Sequence, residues 1–147
     1  MYISVNSFNN MDAYLRENQR GHLSALMITG IWVEGMYLAT QVAKGNPDPV
    51  LYNRIGEQKL NMNNLFLILN AYKNQKQIQD LIDTLNEIKK EFDQVEITYE
   101  MGEPETVEQD GMILIVQDER SIVHITDEQM QKIIQVTEKV RNQLIEA

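Results

Sequence analysis

The chain has 147 residues, 43% of them hydrophobic and 24% charged, with a net charge of −9 and no cysteine. That length predicts one domain, 1–147, able to bury a real core. The negative charge argues against nucleic acid or an anionic membrane surface as partner, and without cysteine there is no disulfide, cysteine-held zinc or thiol chemistry.

In chain order, Phe8, Met11, Tyr14 and Leu15 recur at helical spacing and predict a short first helix, interrupted near Gly21. The opening Met1-Tyr2-Ile3-Ser4-Val5-Asn6 lacks the basic start and apolar run of a signal peptide. Leu23 to Ala43 follows with one formal charge, Glu34. A helix that apolar is expected to be wrapped by others, with the rest of the chain built around it. It is not expected to span a membrane, because Glu34 would fall near mid-bilayer, where charge is expensive.

Gly45-Asn46-Pro47-Asp48-Pro49 ends this central helix and starts the next. Proline cannot continue a helical ladder but suits the first turn, and Asp48 is placed to cap it. Leu51, Ile55, Gln58, Met62, Leu65, Leu69 and Tyr72 mark one face of a helix over 49–72, and Leu60 and Leu67 predict cover on a second side. Asn74 is placed to cap a fourth helix. Its buried stripe is Ile78, Leu81, Ile82, Leu85, Ile88 and Phe92, and its solvated face carries Lys76, Asp80, Asp83, Glu87, Lys90 and Glu91.

After Phe92 the period falls to two: Val95, Ile97, Tyr99 and Met101 alternate with polar residues and predict a half-buried strand. Residues 102–111 read as an acidic loop. The runs 112–116 and 121–125 read as a hairpin around Asp118-Glu119-Arg120. Thr126-Asp127-Glu128-Gln129 has the form of a capping box opening the last helix, whose buried side is Met130, Ile133, Ile134, Thr137, Val140 and Leu144. The expected fold is mainly α: an antiparallel bundle of four to five helices, with a small antiparallel sheet inserted before the C-terminal helix and needing a helix to lie on.

Chemistry is sparse. Glu34 shares a helical face with Gly30, Tyr37, Leu38 and Gln41, and an antiparallel neighbour would bring Arg54, Gln58 and Lys59 to its level. A sheltered carboxylate must be paired, hydrogen-bonded or neutral. Trp32, Glu34, Tyr37, Gln41, Arg54 and Gln58 are therefore the candidate ligand-binding or buried polar cluster. It is either a structural contact inside the bundle or the wall of a bundle-core pocket. Gly30 and Gly35 suggest that a neighbouring helix or the Trp32 ring approaches the backbone there. No second carboxylate completes an acid–base pair, and no Glu-x-x-His pair offers a di-metal site. His22 lacks the neighbours of a phosphotransfer histidine, and His124 reads as a structural residue of a strand. Glu100, Glu103, Glu105, Glu108 and Asp110 crowd one loop but do not follow an EF-hand pattern. No catalytic residue, metal or cofactor is predicted.

The segment Gly30-Ile31-Trp32-Val33-Glu34-Gly35-Met36-Tyr37-Leu38-Ala39-Thr40-Gln41 resembles a motif in an uncharacterised family of predicted lipoproteins, mostly from Bacteroides-type gut bacteria. Arg54 to Leu60, Phe92 to Tyr99, Ile125 to Gln129 and Val140-Arg141-Asn142 extend the resemblance over most of the chain from Gly21 onward. It implies a periplasmic or cell-surface location and a lipid-bearing cysteine upstream, so that this chain would be the soluble C-terminal part of a longer protein. It implies no activity. Two functions are thus expected from the sequence: a non-catalytic binding or interaction module of the bacterial cell envelope, with a protein or small-molecule partner, or a small-molecule sensor or enzyme using a pocket around Glu34. Surplus apolar surface on the second or third helix would favour homo-oligomers.

Overall fold

In a computed structural model, the described backbone covers residues 2–109, 112–117 and 119–146; side chains are not described at 2–5, 105, 107, 109, 113, 114, 116 and 119. Helix α1 (Tyr2–Glu17) is followed by α2 (Gly21–Gly45), α3 (Pro49–Asn70) and α4 (Lys76–Asp93). Strands β1 (Glu96–Met101), β2 (Glu105–Gln109), β3 (Met112–Val116) and β4 (Glu119–His124) lead to α5 (Asp127–Glu146). The expected mainly α bundle, with its small antiparallel sheet before the last helix, is the observed fold.

The helix boundaries follow from local chemistry. Gln19 takes a positive φ of 59° and breaks the chain between α1 and α2. Gly21 does not make that break; it opens α2, where a β-carbon would collide with the Tyr72 hydroxyl. The Asp48 carboxylate accepts from the Val50 amide at 2.9 Å, with Pro49 in the first turn, as its sequence position predicts. The capping box also forms: Gln129 N–H donates to Thr126 Oγ1 at 3.2 Å, and Thr126 N–H donates to Gln129 Oε1 at 2.9 Å. Asn74 does not cap α4. Gln75 stands at that position without a side-chain bond, because a turn after Asn70 shifts the start by one residue.

Helices α2 to α5 form an up-down-up-down ring in which α2 packs against α3 and α5, and α4 lies between those two. Ile55, Met62, Leu69, Ile78, Leu85, Ile88, Phe92, Met130 and Ile133 are almost fully buried at its centre. Lys59 ties α3 to the end of α4, donating to the carbonyls of Asp93 and Val95 at 3.1 and 2.6 Å. A cation there meets the negative end of the helix dipole. Helix α1 adds little: Phe8 and Leu15 are half-buried, but Met11 and Tyr14 of its predicted face are exposed. Leu60 and Leu67 are exposed too, so α3 is not covered on a second side.

The strands differ from expectation. Runs 112–116 and 121–125 do not pair with each other. Instead β1 pairs with β4, from Glu96↔His124 to Met101↔Glu119, and β2 pairs with β3, from Glu105↔Val116 to Gln109↔Met112. Half of the predicted acidic loop is therefore strand. Its charges hid the alternation, and the Asp110-Gly111 sequence, a strong hairpin signal, was the clue to the pairing. Residues 110, 111 and 118 themselves lie outside the described residues. The two ladders run in series, bridged where Gln117 donates to the Gly102 carbonyl at 2.9 Å. Only the base rests on the bundle. Val95 is buried, Ile97 and Val123 pack against the core, and Gly56 of α3 leaves room for Val123. Tyr99 and Met101, predicted to continue that buried face, are exposed.

Candidate interaction site

The fold divides the predicted polar cluster. On a helix, residues two apart point about 200° from one another, so Trp32 and Glu34 cannot share a face. Trp32 turns toward α3: its Nε1–H donates to Gln58 Oε1 at 3.3 Å, and its ring meets Phe92 edge-on with centroids 6.3 Å apart. Glu34 turns toward α5 and is not sheltered in the bundle; its side chain is 47% exposed. Neither Arg54 nor Gln58 reaches it. Arg54 pairs instead with Glu57 at 3.0 Å on its own helix.

The partner of Glu34 is Arg141 of α5, which donates from Nε and Nη2 to the two carboxylate oxygens, both at 3.0 Å. The guanidinium also lies over the Tyr37 ring, 4.6 Å from its centroid. This fork-to-fork geometry is what a planar guanidinium does well. The hydrogen bond from Arg141 holds the Glu34 carboxyl below its ordinary range, against a smaller opposing effect of partial burial. Glu34 is thus ionised and engaged near neutrality. Arg141 escaped sequence reasoning because it borders the buried stripe of α5 rather than interrupting it; the available signal was its place next to Val140 and four residues past Thr137. Gln41 lies on the same side of α2 as Glu34, and its Nε2 is buried with no hydrogen-bond partner among the described residues.

The remaining candidates are quiet. His22 is half-buried, and His124 is exposed with Nε2 2.9 Å from Thr98 Oγ1. Glu100, Glu103 and Glu108 are exposed; the side chains of Glu105 and Asp110 lie outside the described residues. Among the described residues, no three His, Asp or Glu side chains stand together as a metal site.

The main departure concerns α2 itself, which is not wrapped. Its buried stripe is Ser24, Ala25, Thr29, Val33, Met36, Thr40 and Ala43, mostly small or hydroxyl-bearing residues. The two threonine hydroxyls are satisfied locally: Thr29 donates to the Ala25 carbonyl at 2.7 Å and Thr40 to the Tyr37 carbonyl at 2.8 Å. The larger branched residues face outward. Ile31 is 51% exposed, Leu38 59% and Val42 58%, with Gly35 exposed among them; Gly30, also exposed, lies toward the Glu34 side. Ile31, Gly35, Leu38 and Val42 follow steps of four, three and four, which makes one straight stripe.

The glycines correct a further expectation. A β-carbon at Gly30 or Gly35 would meet nothing within 4 Å. Neither the Trp32 ring nor any other group of the described chain uses that space. Each glycine nonetheless costs an interior helix position about 1 kcal/mol relative to alanine. Beside the stripe, α2 and α3 enclose a groove of about 270 Å³ lined by Trp32, Gly35, Ala39, Leu51, Arg54 and Gln58 among others. Glu34 is not part of its lining. By length and composition α2 could also cross a membrane, but a third of its most apolar window is buried in the bundle.

No protein-family model matches this chain, and no curated protein or solved structure is similar to it.

Proposed function

We propose that this chain is a non-catalytic interaction module of the bacterial cell envelope and that it docks its partner on the outer face of α2. The observation that carries the reading is the exposed stripe of Ile31, Leu38 and Val42 with Gly35 among them, where no group of the described residues would meet a β-carbon. A helix that is apolar on all sides belongs inside a larger assembly, and contiguous exposed apolar surface is a mark of interaction sites. The polar pair next to it supports a structural role: Glu34 is ionised, bidentately bound and held against acting as a proton donor near neutrality. The envelope location rests on the resemblance carried by residues 30–41 and the segments that follow.

A second reading has one observation in its favour. The α2–α3 groove is apolar with Gln58 and Arg54 at its polar side, a composition that suits a small ligand. A sensor of that kind would bind beside Trp32 rather than around Glu34.

The test is in-cell photo-crosslinking with a photoreactive residue at Leu38 on α2 or at Asp83 on the charged face of α4. Adducts from position 38 and none from position 83 are expected. Equal labelling, or none at 38, would contradict the proposal.

A further inference from the structure

We infer that the occupant of the α2 face is a second copy of this chain, with the two α2 helices crossing antiparallel about a two-fold axis at Gly35. The inference rests on reading that face as a docking surface and adds the identity of the partner.

The glycines give the first argument. Gly21 and Gly56 are each required by a side chain of the same molecule, whereas among the described residues the space over Gly35, in the middle of the stripe, is open. What a missing β-carbon on an outer helix face permits is close approach of another backbone from outside.

The second argument is symmetry. An isologous contact requires that if residue i meets j, then j meets i. The stripe satisfies this about Gly35. Ile31 and Leu38 stand four and three residues to either side of it. An antiparallel crossing sets Ile31 against Leu38 of the second copy.

Charge gives the third. That rotation turns α3 toward α3 of the second copy, and α5 toward α5. The Trp32–Gln58 bond sets Ile55 of the antiparallel α3 near the level of Gly35, so Arg54 and Glu57, three residues apart and paired, straddle the axis, with Glu57 also accepting from the Ser121 hydroxyl of β4 at 3.3 Å. Arg54 of each copy then comes beside Glu57 of the other. On the opposite flank, Glu34 and Arg141 form a second balanced pair one residue from the axis. Despite the net charge of −9, the charges bordering the stripe cancel and can exchange partners across it.

Area gives the fourth. From Ile31 to Val42 the helix runs about 17 Å at 1.5 Å per residue. The flanking crests of α3 and α5 make the face roughly 20 Å wide at 8–10 Å per helix spacing. Ile145, 62% exposed and one turn beyond Arg141, extends it along α5. A face of roughly 17 Å by 20 Å is about 340 Å² in projection, which places the pairing at the small, weak end of specific interfaces rather than at the ~800 Å² per partner of a standard one. The dimer is therefore weak and concentration-dependent.

The experiment uses the purified full chain. Light scattering over a roughly thousandfold concentration range should show the mass rising from monomer to dimer by mass action. Leu38→Glu, at an exposed position, should keep its melting temperature in dilute solution and raise the dissociation constant about tenfold or more. Because the chain has no cysteine, orientation can be read from single introduced thiols. A mixture of Ile31→Cys and Leu38→Cys chains should cross-link efficiently with a short bis-maleimide, and each variant alone poorly. Efficient cross-linking of each variant alone would mean a parallel pair and would overturn the proposal. So would a monomeric mass throughout. Adducts from position 38 in cells together with a monomeric purified chain would overturn self-pairing while leaving the docking reading standing.

Discussion

Helices α2 and α4 occupy opposite corners of the same ring and solve opposite problems. Helix α4 buries Ile78, Ile82, Leu85, Ile88 and Phe92 and exposes Lys76, Gln79, Asp80, Asp83 and Lys90. Helix α2 buries alanine, threonine, valine and methionine, and exposes isoleucine, leucine and valine. Both have a continuous inner stripe, so both fit the bundle. The difference lies outside: α4 is finished by water, while α2 carries apolar area that none of the described residues covers. Burial within the monomer accounts for the sequence of α4 and for only one side of α2.

The sharpest way to break this comparison is to make the same change on the two faces. Leu85→Ala should lose about 2–5 kcal/mol in chemical denaturation, because Leu85 is fully buried and its removal leaves a cavity. Leu38→Ala should change the stability of the dilute monomer by no more than about 0.5 kcal/mol. Similar losses at both sites would mean that the outer stripe is core after all.

The glycines offer a second contrast, in sign as well as size. Gly56→Ala drives a β-carbon into the Val123 side chain at the base of the ribbon, and such overpacking costs about 1–3 kcal/mol. Gly30→Ala meets nothing and should raise the melting temperature of the dilute chain, gaining up to about 1 kcal/mol of helix propensity. A loss at position 30 in dilute solution would show that the space is already used within the monomer.

Much of the fold was legible because it depends on short-range rules. The one-faced pattern of α4 and α5, the Asp48 cap and the Thr126–Gln129 capping box each need only a few neighbouring residues, and each formed. The ribbon was misread because pairing is a long-range choice. Runs 112–116 and 121–125 are close in sequence, yet each found its partner among residues 96–109. The site was misread for a different reason. An apolar helix announces that it will be covered, but not by what, and periodicity cannot separate a side packed by its own chain from one awaiting another. Glu34 lay on that uncertain border. Its partner came from α5, 107 residues further along, rather than from the neighbouring hairpin helix.

The smallest effect belongs to that ion pair. A carboxyl held low in the folded state contributes stability above its unfolded value, and the contribution disappears as pH falls through the folded value. Wild type and Glu34→Gln should therefore differ slightly in melting temperature near neutrality, with wild type the more stable. The difference should shrink below the ordinary glutamate range near pH 4.5. A gap that persists or widens in acid would mean that the carboxylate–guanidinium bond is not its source. The effect should be small, since the pair is partly open to water.

The most direct measurement is denaturant unfolding of the dilute chain carrying Ile31→Gln, Leu38→Gln and Val42→Gln together. The account predicts a folded protein with its bundle intact and its stability within about 1 kcal/mol of wild type, since none of the three side chains is buried. A collapse of several kcal/mol would contradict it, by showing that the outer stripe of α2 holds the monomer together.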